Sequence, residues 1–187
     1  MKITEPEAGI QLIQDFVNTN DVEGGNDELA TPAYLHAWLA DRGFGVEGTL
    51  VGNAAHARAI AVREGIRALG LANNGEPIDI GLVDAMNEAA RSAAVIVSVT
   101  PDGEGGWDLQ PASEGVDGFI GRVLGELATA MADGTWARVK ACRRETCRWL
   151  FYDRSRNHSG TWCSMAGCGS RMKARAYRAR RRESASA

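Results

Sequence analysis

The sequence predicts an α+β protein: a mostly helical N-terminal domain with a small β-hairpin over residues 1–134, then a treble-clef-like four-cysteine zinc finger over residues 135–187. Three observations carry that prediction. Apolar residues recur every three or four positions through most of the first 132 residues, the signature of amphipathic helices. One β-branched run, Val95-Ile96-Val97-Ser98-Val99, breaks the pattern and is followed by turn residues. All four cysteines lie late in the chain as CxxxxC, fifteen residues, CxxxxC, so two short turns can each offer a pair of thiolates to one tetrahedral ion.

Composition narrows the class. A hydrophobic fraction of 44% suits a globular protein, and no apolar run approaches the roughly 20 residues that cross a bilayer. The start, Met1 to Glu7, lacks the basic and hydrophobic regions of a signal peptide, so the expected location is the cytoplasm, with no membrane partner. Thiols stay reduced there, which favours one structural zinc ion over two disulfides. The net charge of -3 conceals an asymmetry: residues 138–187 hold 14 of the 21 Lys+Arg and 3 of the 24 Asp+Glu, leaving the first 137 residues at -14. An acidic body with a basic end calls for a polyanionic partner, or else for docking of the tail on its own body.

Taken in order, Ile10, Ile13, Phe16 and Val17 predict a first helix with Glu7 in an acidic first turn. Residues 18–27 read as a polar, glycine-containing loop. Thr31-Pro32 reads as an N-cap with proline at the first helical position, opening a helix over 32–42 that buries Tyr34, Leu35, Trp38 and Leu39 and ends at Gly43. A long helix is expected over 49–71 on Val51, Ala55, Arg58, Ala59, Val62, Ile66 and Leu69, stopped by Asn73-Asn74-Gly75. Asp79 can cap another helix, carrying Ile80, Val83, Met86 and Ala90. The β-branched run follows, then turn residues 100–106, then a return strand from Trp107. Residues 115–132 form the last helix of the body, with Val116, Phe119, Ile120, Val123, Leu124, Leu127 and Met131 as its apolar stripe. Its second stripe, Gly118, Gly121, Gly125, Ala128 and Ala132, implies the close approach of another backbone, or a ligand resting there. Gly134 ends it, and residues 135–140 are expected to be extended.

Between the cysteine pairs, residues 148–155 read as a strand and 160–163 as its partner, with a bend near Ser155 to Ser159. After the second pair, residues 170–182 contain no helix breaker. Cys142, Cys147, Cys163 and Cys168 are the expected ligands, and four thiolates leave no open position for catalysis. So small a module needs the metal to fold, a contribution of about 10 kcal/mol in zinc-finger peptides. His158 is read as an ordinary exposed histidine.

The segment from Cys142 to Cys147, through Arg148-Trp149-Leu150-Phe151-Tyr152-Asp153-Arg154-Ser155-Arg156-Asn157-His158-Ser159, to Trp162-Cys163-Ser164-Met165 and Cys168-Gly169-Ser170-Arg171 resembles the CGNR zinc-finger family. Ser170 departs from it, standing where the family name places Asn. Asp15-Phe16-Val17-Asn18-Thr19, Trp38-Leu39 and Ala57-Arg58 are similar to the ABATE domain that precedes this finger in the family. The resemblance implies a DNA-binding transcription regulator of the stress response.

The residues supply a mechanism beside it. Arg171, Arg175, Arg178 and Arg182 share one helical face, with Lys173 and Arg180 alongside, suited to phosphates and base edges. The bland alternative is a solvated basic helix. The acidic domain is expected to sense a small molecule or to mediate dimerisation, since two-fold proteins suit symmetric DNA sites. Asp15, Asn18 and Thr19 are the candidate lining of a ligand pocket, although local side-chain to backbone bonding explains Asn18 and Thr19 equally well. Two other readings stand beside DNA binding: an RNA binder stacking bases on Trp149, Phe151 and Tyr152, and a small-molecule receptor whose finger is a protein-interaction module. No nucleophile with a base, phosphate loop or histidine cluster is readable, so no enzyme activity is expected. Zinc loss is expected to abolish nucleic-acid binding and leave the helical body folded.

Overall fold

The computed structural model describes residues 8–46, 48, 50–99 and 106–185. Helix α1 (Ala8–Val17) buries Ile10, Ile13, Phe16 and Val17, the face its spacing predicts. Glu7 lies outside the described residues, and α1 has no acid in its first turn. The expected loop after it closes instead into a ribbon, β1 (Asn20–Asp21) antiparallel to β2 (Asn26–Asp27). Asp21 makes the turn: its Oδ1 accepts from the Gly24 N–H at 2.9 Å, and its carbonyl accepts from the Gly25 N–H at 2.8 Å. Gly25, at φ 68°, can take the left-handed conformation the reversal needs.

Helix α2 (Pro32–Ala40) starts as expected, with Thr31 Oγ1 accepting from the Tyr34 N–H. Leu35, Trp38 and Leu39 are buried, but Tyr34 is exposed, because it follows Pro32 on the outer side of the first turn. Helix α3 (Asn53–Ala72) is the long one; Thr49, the expected start, lies outside the described residues. Helix α4 (Ile80–Ala89) is capped by Asp79 Oδ1, which accepts from the Leu82 N–H at 3.1 Å. It buries Met86 and Ala89 and leaves Ile80 exposed at its open first turn. Helices α3 and α4 pack closely because Gly65 has no side chain: a Cβ there would lie 2.4 Å from Met86 Cβ and 3.0 Å from the Leu82 carbonyl oxygen.

Strands β3 (Val95–Val99) and β4 (Trp107–Pro111) form the expected hairpin, Val95 opposite Pro111 and Val99 opposite Trp107; residues 100–105 of its turn lie outside the described residues. Helix α5 (Gly115–Ala132) has the expected bounds, and its glycines receive another backbone. A Cβ on Gly125 would meet Leu109 at 3.2 Å, and one on Gly121 would meet Pro111 at 3.3 Å. The hairpin therefore occupies the small-residue stripe where a ligand was the alternative; Ala128 and Ala132, beyond it, are exposed. Met131 is exposed as well, at the end of the stripe.

Phe119 of α5 is the centre of the core. Its ring meets Phe16, Trp38 and Phe44 edge-on at 4.8, 5.4 and 4.9 Å, so α1, α2 and the loop after α2 converge on one aromatic cluster. Gly134, at φ 82°, ends α5. The extended stretch expected next is instead a 3-10 turn (Thr135–Arg138) that buries Trp136, followed by strand β5 (Val139–Ala141). Strand β5 pairs antiparallel with β6 (Leu150–Tyr152), and Val139, Ala141 and Leu150 join the same core as Phe119. A π-helical turn (Met165–Gly169) leads into helix α6 (Ser170–Ala185).

Candidate metal centre and basic helix

The strand expected after the first cysteine pair exists, but its partner is not residues 160–163. Strand β6 pairs with β5, which precedes the pair, so Cys142 and Cys147 sit in the connection of a hairpin. The physical reason lies at the end of α3. Asn73 donates its side-chain amide to the carbonyls of Trp136 and Val139, and Asn74 donates to those of Ala141 and Thr161. Two residues read only as a helix stop thereby hold β5 in place and tie residue 161 beside it. Gly70 lets the hairpin approach, for a Cβ there would lie 2.5 Å from Leu150 Cδ1.

Within the connection, Arg144 O accepts from the Cys147 N–H at 2.8 Å, a tight turn that faces both sulfurs the same way. The second pair is set by Ser164, whose Oγ accepts from the Gly167 N–H at 3.1 Å and caps the π-helical turn. Ser170 Oγ donates to the Met165 carbonyl, so a hydroxyl closes the turn where the family name has an amide. The four Sγ atoms, of Cys142, Cys147, Cys163 and Cys168, lie within 4.8 Å of one another. Cys147 and Cys163 are 3.6 Å apart, and Cys163 and Cys168 3.7 Å. Tetrahedral zinc with Zn–S bonds of about 2.3 Å requires sulfurs about 3.8 Å apart, so the donor set fits that ion. Trp162 packs against the cluster, and exposed His158 is not part of it.

The electrostatics point the same way. Burial, reinforced by the charge of Cys142, pushes the Cys147 thiol up to about 11. Burial and the charges of Cys142 and Cys147 push Cys163 higher still. At Cys168 burial is outweighed by Arg144, whose Nη1 lies 3.6 Å from the sulfur, and the thiol falls below its usual range. Four sulfurs this close resist ionising together unless a cation lies among them.

Every side chain of α6 from Arg171 through Ser184 is exposed except half-buried Met172. Arg171, Lys173, Arg175, Arg178, Arg180 and Arg182 are all on it, brought together as the sequence predicts. Between its first turns and the Cys142–Cys147 turn runs a cleft of about 530 Å³, lined by Arg143, Arg144, Arg171, Arg175 and Arg178 together with Glu145. Glu23, at the tip of the β1–β2 ribbon, reaches this cleft. Arg144 donates to both its oxygens, at 2.7 and 2.8 Å, and Arg171 donates to Oε1.

The side chains of Asp15, Asn18 and Thr19 each bond to other groups of the protein. Asp15 is exposed and accepts from Gln11; Thr19 donates to the Phe16 carbonyl. Asn18 is spent on β6: its Nδ2 donates to the Leu150 carbonyl at 2.9 Å, and its Oδ1 accepts from the Leu150 N–H at 2.7 Å. A cavity of about 310 Å³ lies elsewhere, between the first turns of α3 and α5, with Arg58 and Asp117 in its wall.

Two residues that sequence reasoning missed are Arg63 and Arg67, buried on α3. Arg63 forks onto Asp27 at 2.7 and 2.8 Å and touches Thr19, fixing the base of the ribbon. Arg67 donates to the carbonyls of Val17 and of Arg148, the latter at φ 55°, joining α1 to the start of β6. The signal was present: Arg63 and Arg67 continue the buried stripe of Ala59, Val62, Ile66 and Gly70.

Residues 11–135 match a family model described as "ABATE: Putative stress-induced transcription regulator". Residues 138–181 match the model of the CGNR zinc finger. Comparison with curated proteins gives no match.

Proposed function

Because this chain belongs to the ABATE family and carries a CGNR zinc finger after that domain, we propose that it is a transcription regulator that binds duplex DNA through α6, with one structural zinc ion on Cys142, Cys147, Cys163 and Cys168. The observation that carries the reading is the exposure of α6. It presents Arg171, Lys173, Arg175, Arg178, Arg180 and Arg182 to solvent, and it starts two residues after Cys168. A helix whose side chains from Arg171 through Ser184 are exposed but for Met172 is available to a groove, and arginine forks suit phosphates and guanine edges. The ion would supply folding free energy and fix the base of this helix. It has no catalytic role in this reading, and the protein acts in the cytoplasm as a regulator and not as an enzyme.

The acidic body supports the finger in a further way. Arg67, Asn18, Asn73 and Asn74 all bond to the β5–β6 hairpin or its flanks, so the body orients the metal site. The RNA reading has less behind it. It needs stacking surfaces, and of its three aromatics only Trp149 is exposed; Phe151 and Tyr152 are half-buried, Tyr152 against the core.

Titration of duplex DNA across salt concentrations tests the proposal. With about five phosphates neutralised, log affinity should fall with log salt at a slope of about -4.5. Replacing Arg171, Arg175 and Arg178 together with alanine should flatten that slope by about 2.7. Salt-insensitive binding, or an unchanged slope in the triple variant, would remove α6 from the interface.

A further inference from the structure

Glu23 does more than pair with an arginine. Its carboxylate is gripped from two directions: Arg144 places a two-pronged fork on both oxygens, and Arg171 adds a third donor to Oε1. This is how a protein holds one phosphate oxygen pair, with a planar guanidinium on one side and a second cation closing the other. The Arg144 hydrogen bond holds the Glu23 carboxyl below the usual range, so the group stays ionised at neutral pH. Arg144 also touches the Cys168 sulfur, which ties its orientation to the metal centre.

We propose that the cleft between the Cys142–Cys147 turn and α6 is a seat for a backbone phosphate of nucleic acid, and that Glu23 is its built-in occupant, displaced when the phosphate arrives. The proposal rests on the DNA-binding reading above. The rest of the cleft supplies what a single carboxylate does not use: Arg175 and Arg178 line it one and two turns along α6, where neighbouring phosphates of the same strand would fall. Arg143, also in its wall, is engaged by Glu76 at 3.2 Å, and Glu145 adds one more carboxylate.

The ribbon is built to let Glu23 go. Val22 through Gly25 are exposed, whereas the base of the ribbon is pinned by the buried Arg63 fork on Asp27. Withdrawal of the tip breaks ion pairs at the surface, from exposed Glu23 to exposed Arg171 and half-buried Arg144, and pairs at a surface are weak and screened by salt. A strand of DNA competes well for them, since each phosphate it seats releases condensed counterions. The consequence is reciprocal: whatever tightens the ribbon on the finger weakens nucleic-acid binding, and bound nucleic acid frees the ribbon.

The test compares Glu23→Gln with wild type and with Glu28→Gln, an equal loss of charge at an exposed position just past the ribbon. With random-sequence duplex DNA at low salt, Glu23→Gln should bind about three- to tenfold more tightly than wild type, and the gap should narrow as salt rises. Glu28→Gln should stay within about twofold of wild type. Equal affinity of the two variants would overturn the proposal, and so would weaker binding by Glu23→Gln, which would make the contact a structural latch. Inorganic pyrophosphate is the second probe and separates the two readings. Tighter pyrophosphate binding by Glu23→Gln, with no duplex binding by any of the three proteins, would keep the phosphate seat and remove the DNA reading. Duplex binding that is the same in all three would keep the DNA reading and remove the seat.

Discussion

A buried charge is the residue-scale feature that most constrains this chain. Arg63 is 2% exposed, and its guanidinium depends on Asp27. Asp27→Asn should therefore cost about 2–3 kcal/mol in urea unfolding, because the charge stays buried with only Glu64 and Thr19 to meet it. The pair Lys140 and Asp153 is similar: Lys140 Nζ donates to Asp153 Oδ2 at 2.8 Å and to the His158 and Gly160 carbonyls, closing the 153–160 bend. Burial opposes ionisation of Asp153, but Lys140 and the Ser155 and Gly160 N–H groups outweigh it and hold the carboxyl down to about 2. A folded value below the ordinary 3.8 means that this group stabilises the fold above pH about 4 and loses that contribution as pH falls toward 2. Acid titration followed by circular dichroism should show that final loss in wild type and a shallower one in Asp153→Asn. The four cysteines were legible because thiolate ligands come in spaced pairs. Arg63 was legible only by its place on the buried stripe of α3; the roles of Asn18, Asn73 and Asn74 were not legible, because each acts on a backbone group far along the chain, and nothing local distinguishes them from solvated polar residues.

At the scale of elements, periodicity was a good guide wherever one face of a helix meets the core. The bounds of α5 follow directly from it, whereas β3 and β4 follow from the β-branched run and the turn residues after it. It failed for β1, β2 and β5, which are two or three residues long and show no period. Their pairing is decided by contacts from elsewhere: Arg63 for the ribbon, Asn73 and Asn74 for β5. The glycine stripe of α5 was legible as a close approach, though not the partner that fills it. Gly118 makes the requirement measurable, since a Cβ there would lie 2.1 Å from the Ser113 carbonyl oxygen. Gly118→Ala gains about 1 kcal/mol of helix propensity yet should lower stability by about 1–2 kcal/mol overall, because a backbone carbonyl cannot move aside as a side chain can. Thermal denaturation of the variant checks the sign.

For the whole molecule, the finger and the helical body share one core. Val139, Ala141 and Leu150 are fully buried in the cluster that includes Phe16 and Phe119. Removal of the metal should therefore do two things at once. Chelation should release the Cys142–Cys147 turn and the start of α6, seen as faster amide exchange over residues 142–170, and it should also lower the melting temperature of the body by several degrees, since β5 and β6 lose one end of their hairpin. A body whose melting temperature ignores the chelator would show that the hairpin holds without its sulfurs.

Helix α6 is attached to the rest of the protein almost at a point, and it is long. Its 16 residues rise about 24 Å from the turn that carries Cys168. It thus behaves as a lever, and small angular changes at its foot become large displacements at its end. A tilt of about 10° there sweeps the far arginines through about 4 Å, more than the roughly 3.4 Å between successive phosphates along the axis of one DNA strand. In the proposed complex, register along a duplex would be set at the foot of the lever, where Arg144 bridges the Cys168 sulfur and Glu23.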